Sequence, residues 1–93
     1  GIDPSNAAFQ NRIGYFNAGV SDNNGDLWMT TYGGGVWKYD GKELINFPVL
    51  DGDQEVLLIS IYKDNQGVLW LGSDNAGVFK FNGKDFVKFE LAK

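Results

Sequence analysis

The chain has no cysteine and no histidine, and only two prolines and one methionine among its 93 residues. Without cysteine there is no disulfide framework and no thiolate nucleophile, and the redox compartment leaves no trace in the sequence. Without histidine the chain lacks the side chain that most often serves as a general base near neutral pH and most often ligates metals. Ordinary Ser-His-Asp triads and zinc sites are thereby excluded. Positive charge is sparse as well: eight Lys and Arg stand against twelve Asp and Glu, for a formal net charge of −4, and the basic residues are scattered. Nucleic acids and anionic membrane surfaces are bound by cations gathered on one face, so neither partner is expected. No apolar run approaches the roughly 20 residues of a membrane span. Gly1 to Ala8 shows no basic segment followed by an apolar one, as a signal peptide would. No cofactor is implied.

What the chain does have is a globular mixture, 43% hydrophobic and 15% aromatic, and an internal repeat. Asp22-Asn23-Asn24-Gly25-Asp26-Leu27-Trp28-Met29 returns 42 residues later as Asp64-Asn65-Gln66-Gly67-Val68-Leu69-Trp70-Leu71. In the same register Gly35-Val36, Lys38, Gly41-Lys42 and Phe47 recur as Gly77-Val78, Lys80, Gly83-Lys84 and Phe89, with Trp37 against Phe79 and Tyr39 against Phe81. A repeat of about 40 to 45 residues made of strand-like segments has the period of a β-propeller blade.

Within each copy, short segments rich in β-formers alternate with turn residues. Tyr15 to Ser21, Asp26 to Thr31, Val36 to Tyr39 and Leu44 to Phe47 are predicted as one meander. The turn Asp22 to Gly25 and the hairpin signal Asp40-Gly41 separate its strands. Glu55 to Tyr62, Val68 to Ser73, Val78 to Phe81 and Phe86 to Leu91 make the second. The expected fold is all-β, two four-stranded antiparallel blades with eight strands in total. Residues 1–14 are a lead-in, in part vector-derived; 15–47 form the first blade, 48–54 a connector and 55–91 the second blade. Glu55 to Tyr62 is apolar without clean alternation, the pattern of a strand covered on both sides, and is expected in the centre of the assembly.

Successive strand residues point to opposite faces, so Leu27 and Trp28 face apart, as do Leu69 and Trp70. Each blade is therefore apolar front and back. Leu27, Trp28, Trp37, Leu69, Trp70 and Phe79 are expected to pack between blades, where large rings bury most area. Two blades can cover only one pair of faces, and closed propellers have about 4 to 8 blades. The chain is expected either to self-associate cyclically, giving rings of four, six or eight blades, or to meet the remaining blades of a longer chain.

Two candidate sites fail on spacing. Asp22, Asn24 and Asp26 alternate like calcium ligands, but an EF-hand-type loop needs Gly at its sixth position and Glu at its twelfth. Here Gly25 is fourth and Gly33 twelfth, and the second copy has Gln66 and Val68 in place of ligands. Asp51, Asp53 and Glu55 could be read as a carboxylate constellation, but three acids on one solvated connector serve solubility. What remains is a rim. In an up-and-down meander the turns after the second and fourth strands share one edge, which groups Tyr32–Gly35, Asp74–Gly77 and Pro48–Gln54. Tyr32, Asp51, Asp53, Asp74 and Asn75 there combine an aromatic platform with polar groups, as a sugar or peptide site would.

The string Asp-Asn-x-Gly-x-Leu-Trp, followed by a Gly-containing turn, an aromatic-Lys-aromatic strand and (Asp/Asn)-Gly-Lys, resembles the two-component regulator propeller repeat over about residues 15 to 90. In that family such blades build extracytoplasmic sensor domains of bacterial hybrid histidine kinases, often ones that detect carbohydrate. The resemblance implies a non-catalytic ligand-sensing module in signal transduction, exposed to the periplasm or cell exterior. A structural self-assembly or protein-interaction module with no small-molecule ligand is the alternative.

Overall fold

The computed structural model describes residues 16–90; the predicted lead-in, Tyr15 and Leu91 lie outside them. Ten strands are formed: β1 Phe16–Ser21, β2 Leu27–Thr31, β3 Val36–Tyr39, β4 Leu44–Phe47, β5 Leu50–Asp51, β6 Gln54–Glu55, β7 Leu58–Lys63, β8 Leu69–Ser73, β9 Val78–Phe81 and β10 Phe86–Lys88. No helix is present among the described residues. β1 to β4 form one antiparallel sheet in chain order, β7 to β10 a second in the same order, and β5 pairs with β6 alone.

The two sheets share more than a strand order. Trp28 lies opposite Lys38 and Val20 in the first sheet, and Trp70 opposite Lys80 and Tyr62 in the second. Both first strands carry an irregularity against their neighbour, between Phe16 and Ala18 and between Leu58 and Ser60. The 42-residue repeat is thus a repeat of register.

Each sheet has a tryptophan face and a leucine face. In the first, pairing puts Val20, Trp28, Val36 and Phe47 on one side and Leu27, Met29, Trp37, Tyr39 and Leu44 on the other. In the second, Trp70, Val78, Lys80 and Val87 are opposed to Leu69, Leu71, Phe79, Phe81 and Phe86. The core lies where the tryptophan face of the first sheet meets the leucine face of the second: Trp28, Val36, Leu58, Ile61, Leu69, Leu71, Phe79 and Phe86 are all buried in one cluster. At its centre the Trp28 ring lies 5.1 Å from Phe47, 5.1 Å from Phe81 and 6.0 Å from Phe86. These are tilted and edge-on contacts of the kind aromatic quadrupoles favour.

Two expectations are corrected by this architecture. The segment Glu55 to Tyr62 is not one central strand. Gln54–Glu55 turns back on Leu50–Asp51, and Leu58–Lys63 is the edge strand of its sheet. Its apolar residues divide by face: Leu58 and Ile61 are buried against the first sheet, while Ile59 and Tyr62 are exposed. The missing alternation reflects the bulge at Ile59, which shifts the register so that Leu58 and Ile61 point the same way. The connector, in which no strand was expected, contributes to a hairpin, with the two-residue turn Gly52-Asp53 between β5 and β6. Gly52 has φ 65° and Asp53 does not share the left-handed conformation, as a type II′ turn requires. Val49 and Val56 flank this hairpin and anchor it in the core.

Candidate functional site

The repeated turns before the tryptophans are built by one carboxylate each. Asp22 Oδ1 accepts from the backbone amides of Asn24 (2.8 Å) and Asp26 (3.0 Å), and Oδ2 accepts from the indole N–H of Trp28 (2.8 Å). Asp64 repeats this on Gln66 (2.9 Å), Val68 (2.9 Å) and Trp70 (2.8 Å). Gly25 and Gly67 close the turns at φ 86° and 83°, a conformation that L side chains rarely adopt. Burial opposes ionisation of Asp22, but the Trp28 indole and the amides of Asp26 and Asn24 outweigh it and hold the carboxyl below the usual range. The Asp64 carboxyl is lowered chiefly by the Trp70 indole, with help from the Val68 amide. With both oxygens engaged in tying the turn to the ring, these aspartates act as clamps. This is the positive reason for setting aside a calcium loop.

Lys38 and Lys80 lie 5.3 Å from the Trp28 and Trp70 ring centroids, completing the same Asp-Trp-Lys arrangement in both copies. Between the blades, beside the Asp22 turn, a cleft of about 410 Å³ is lined by Asn23, Asn24, Trp28, Leu69, Phe81 and Asn82 among others.

The opposite edge carries the sequence-predicted rim. Tyr32 is half exposed (48%), and its hydroxyl donates to Asp74 Oδ2 at 2.8 Å. The pairing raises the Tyr32 phenol above its ordinary value, first through this hydrogen bond. Asn75 is committed to backbone: its Oδ1 accepts from Leu57 N (2.9 Å) and its Nδ2 donates to Glu55 O (3.1 Å), tying the second rim loop to the end of the connector. Asp51 pairs with Lys88 Nζ at 3.1 Å on the outermost strand, and Asp53 stands exposed at the tip of the hairpin. The first rim loop and the connector also enclose a hollow of about 200 Å³, lined by Gly33 to Gly35, Pro48 to Leu50 and Glu55. Tyr32 and Asp74 therefore form a joined pair, Asn75 supports the loop that carries Asp74, and Asp51 makes its contact on the outer strand.

Of the predicted packing residues, Trp28, Leu69 and Phe79 lie between the sheets, at 3%, 3% and 1% exposure. Leu27 and Trp37 lie on the outward face of the first sheet and Trp70 on that of the second. Sequence reasoning missed Asn17, whose Nδ2 donates to Leu58 O across the two sheets (2.8 Å) while its Oδ1 accepts from the Thr30 hydroxyl. Nothing marks it in the repeat, since Ile59 stands at the equivalent position. The Asp-Trp clamp did leave a signal, the same six-residue interval in both copies.

The family model described as "Two component regulator propeller" matches residues 51–75, which run from the connector hairpin through β7 and β8 to the rim loop with Asp74 and Asn75. No curated protein matches the chain significantly.

Proposed function

We propose that this chain, carrying a two component regulator propeller repeat at residues 51–75, is a non-catalytic ligand-binding or sensory segment of a β-propeller. Its ligand, a carbohydrate or peptide, would be received on the rim of Tyr32, Asp51, Asp53, Asp74 and Asn75. The observation that carries this reading is the Tyr32–Asp74 pair. An exposed aromatic ring is held by a carboxylate from the next blade, on loops supported by rigid sheets. An aromatic face with flanking acceptors is suited to stacking on a sugar ring while hydrogen-bonding its hydroxyls, or to a peptide aromatic and its backbone amides. Screening oligosaccharides and peptides for a ligand-dependent rise in melting temperature tests it, because a ligand that binds only the folded state stabilises that state. Any shift found should vanish in Tyr32→Ala and Asp74→Ala; a shift that survives both places the ligand elsewhere.

A second reading, a structural module that only mediates subunit contact, is favoured by one observation. The outward face of the second sheet exposes Tyr62, Val78, Val87 and Phe89 around Lys80, a largely apolar surface of the kind that marks interaction sites.

A further inference from the structure

Asparagine carries an electrophile, its side-chain amide carbon Cγ, within reach of the backbone nitrogen of the next residue. Glycine in that next position removes the Cβ that would crowd the approach. The chain contains two such pairs, Asn24-Gly25 and Asn82-Gly83, and the fold treats them differently. In the first, the Gly25 N–H donates to Asp22 O at 3.1 Å. The other asparagines of the turns are followed by engaged amides too. The N–H groups of Asn24 and Gln66 donate to the Asp22 and Asp64 carboxylates, and that of Ala76 donates to Ser73 Oγ at 2.9 Å. Asn23, Asn24, Asn65 and Asn75 are thereby shielded from attack by their own backbone. Gly83 N has no hydrogen-bond partner among the described residues, and Asn82 is exposed.

The side-chain carbonyl of Asn82 is also polarised. Its Oδ1 accepts from the backbone amides of Lys84 (2.9 Å) and Asp85 (2.8 Å), two donors placed where negative charge gathers when Cγ is attacked, as in an oxyanion hole. The Asn24 side chain accepts no hydrogen bond among the described residues, because Asp22 Oδ1 has taken the amides of that turn. We propose that Asn82 is a site of spontaneous deamidation, where the turn itself converts asparagine into an acidic residue with water as co-reactant. Gly83 N loses its proton to hydroxide and forms a bond to Cγ, closing a succinimide. The Cγ–Nδ2 bond breaks, and Nδ2 takes up a proton and leaves as ammonia. Water then opens the ring. Attack at Cγ breaks its new bond to Gly83 N and gives aspartate; attack at the main-chain carbonyl carbon of residue 82 breaks the original peptide bond and gives isoaspartate.

The first copy already holds the aspartate product. Asp40-Gly41 is the repeat equivalent of Asn82-Gly83, with φ 96° at Gly41 against 100° at Gly83, and Asp40 accepts from the amides of Lys42 and Glu43 in the same way. Aspartate at position 82 therefore keeps the hairpin. Isoaspartate lengthens the main chain by a methylene and spoils the bond from Asn82 N to Asp85 O at 3.0 Å. Asn82 and Gly83 line the cleft between the blades, as Asp22 does, so either product adds a carboxylate to a wall that was neutral.

The test is peptide mapping of the full chain aged at mildly alkaline pH, once folded and once in concentrated urea, with the aspartate and isoaspartate forms of each peptide separated. In the folded chain Asn82 is expected to convert at least about 10-fold faster than Asn24, since the hydrogen bonds that polarise one site and restrain the other each approach that factor. In urea both sites are bare Asn-Gly pairs and are expected to convert at similar rates. Equal rates in the folded chain, a faster Asn24, or a folded-state ratio no different from that in urea would each overturn the proposal. Asn82→Asp, made directly, is expected to melt with the wild type; a lowered melting temperature would overturn the match to Asp40.

Discussion

Tyr32 and Asp74 occupy the same position in the two repeats, and the hydroxyl of the first donates to the carboxylate of the second at 2.8 Å. A propeller repeat thus joins its own equivalent loops across the gap between blades. Deprotonating Tyr32 would lose this bond and set a phenolate beside a carboxylate, which is why its titration is displaced upward. Asp74→Asn should shift one tyrosine of the phenolate absorbance titration back toward its ordinary value. Identical titration curves for wild type and variant would mean that the pair does not persist in solution.

The two aspartate positions of the repeat are not equally replaceable. Asp40 uses Oδ1 to accept from Lys42 and Glu43 amides (2.9 and 2.8 Å), and in the second copy Asn82 does the same for Lys84 and Asp85. One acceptor suffices there. At Asp22 both oxygens accept, and an asparagine would aim its amide at the Trp28 indole, donor against donor. Asp22→Asn should therefore cost about 1 to 2 kcal/mol of unfolding free energy, and Asp40→Asn distinctly less. Urea denaturation of the two variants checks the order.

Acid should unfold the chain by releasing the same clamps. Asp22, Asp40 and Asp64 are all held below the ordinary value of 3.8. The stability they contribute is complete above that value and is lost as pH falls through their lower folded-state values. Below about pH 4 the urea midpoint of the wild type should fall more steeply than that of Asp22→Asn/Asp64→Asn. Parallel slopes would show that the clamps do not govern acid stability.

Gly35 and Gly77 are repeat equivalents with nearly the same backbone, φ 79° and 81°. A methyl group on Gly35 would come 2.7 Å from Phe47 O and 3.2 Å from Pro48 Cα, whereas at Gly77 it would meet nothing within 4 Å. Alanine at Gly77 should cost about 1 to 2 kcal/mol for the left-handed conformation alone. Alanine at Gly35 should cost more, through the clash with the start of the connector. Thermal melts of both variants decide it; equal losses would mean that the connector yields.

The two sheets were legible because the repeat fixes strand position and face together. Once Trp28 and Trp70 align, every alternating neighbour follows. The connector hairpin was not, since Asp51 and Asp53 drew attention as charge while Gly52 between them carried the turn. The central position expected for residues 55–62 failed because the bulge at Ile59 cannot be told from continuous burial by hydropathy alone. At the rim, the turn order of a meander was enough to place Tyr32 near Asp74. It could not foresee that Asn75 would commit its amide to Glu55 and Leu57, or that Asp51 would reach Lys88, because those choices depend on how the hairpin folds back.

Asn17 fastens the seam inside the chain in a way that the open side of the second sheet does not share. Within the chain it stitches the halves together, reaching Leu58 O while gripping Thr30. One repeat further on, the corresponding residues are Ile59 and Gly72, which offer no thread for such a stitch. Whatever covers the Trp70 side must therefore hold on without that anchor, by grease and shape.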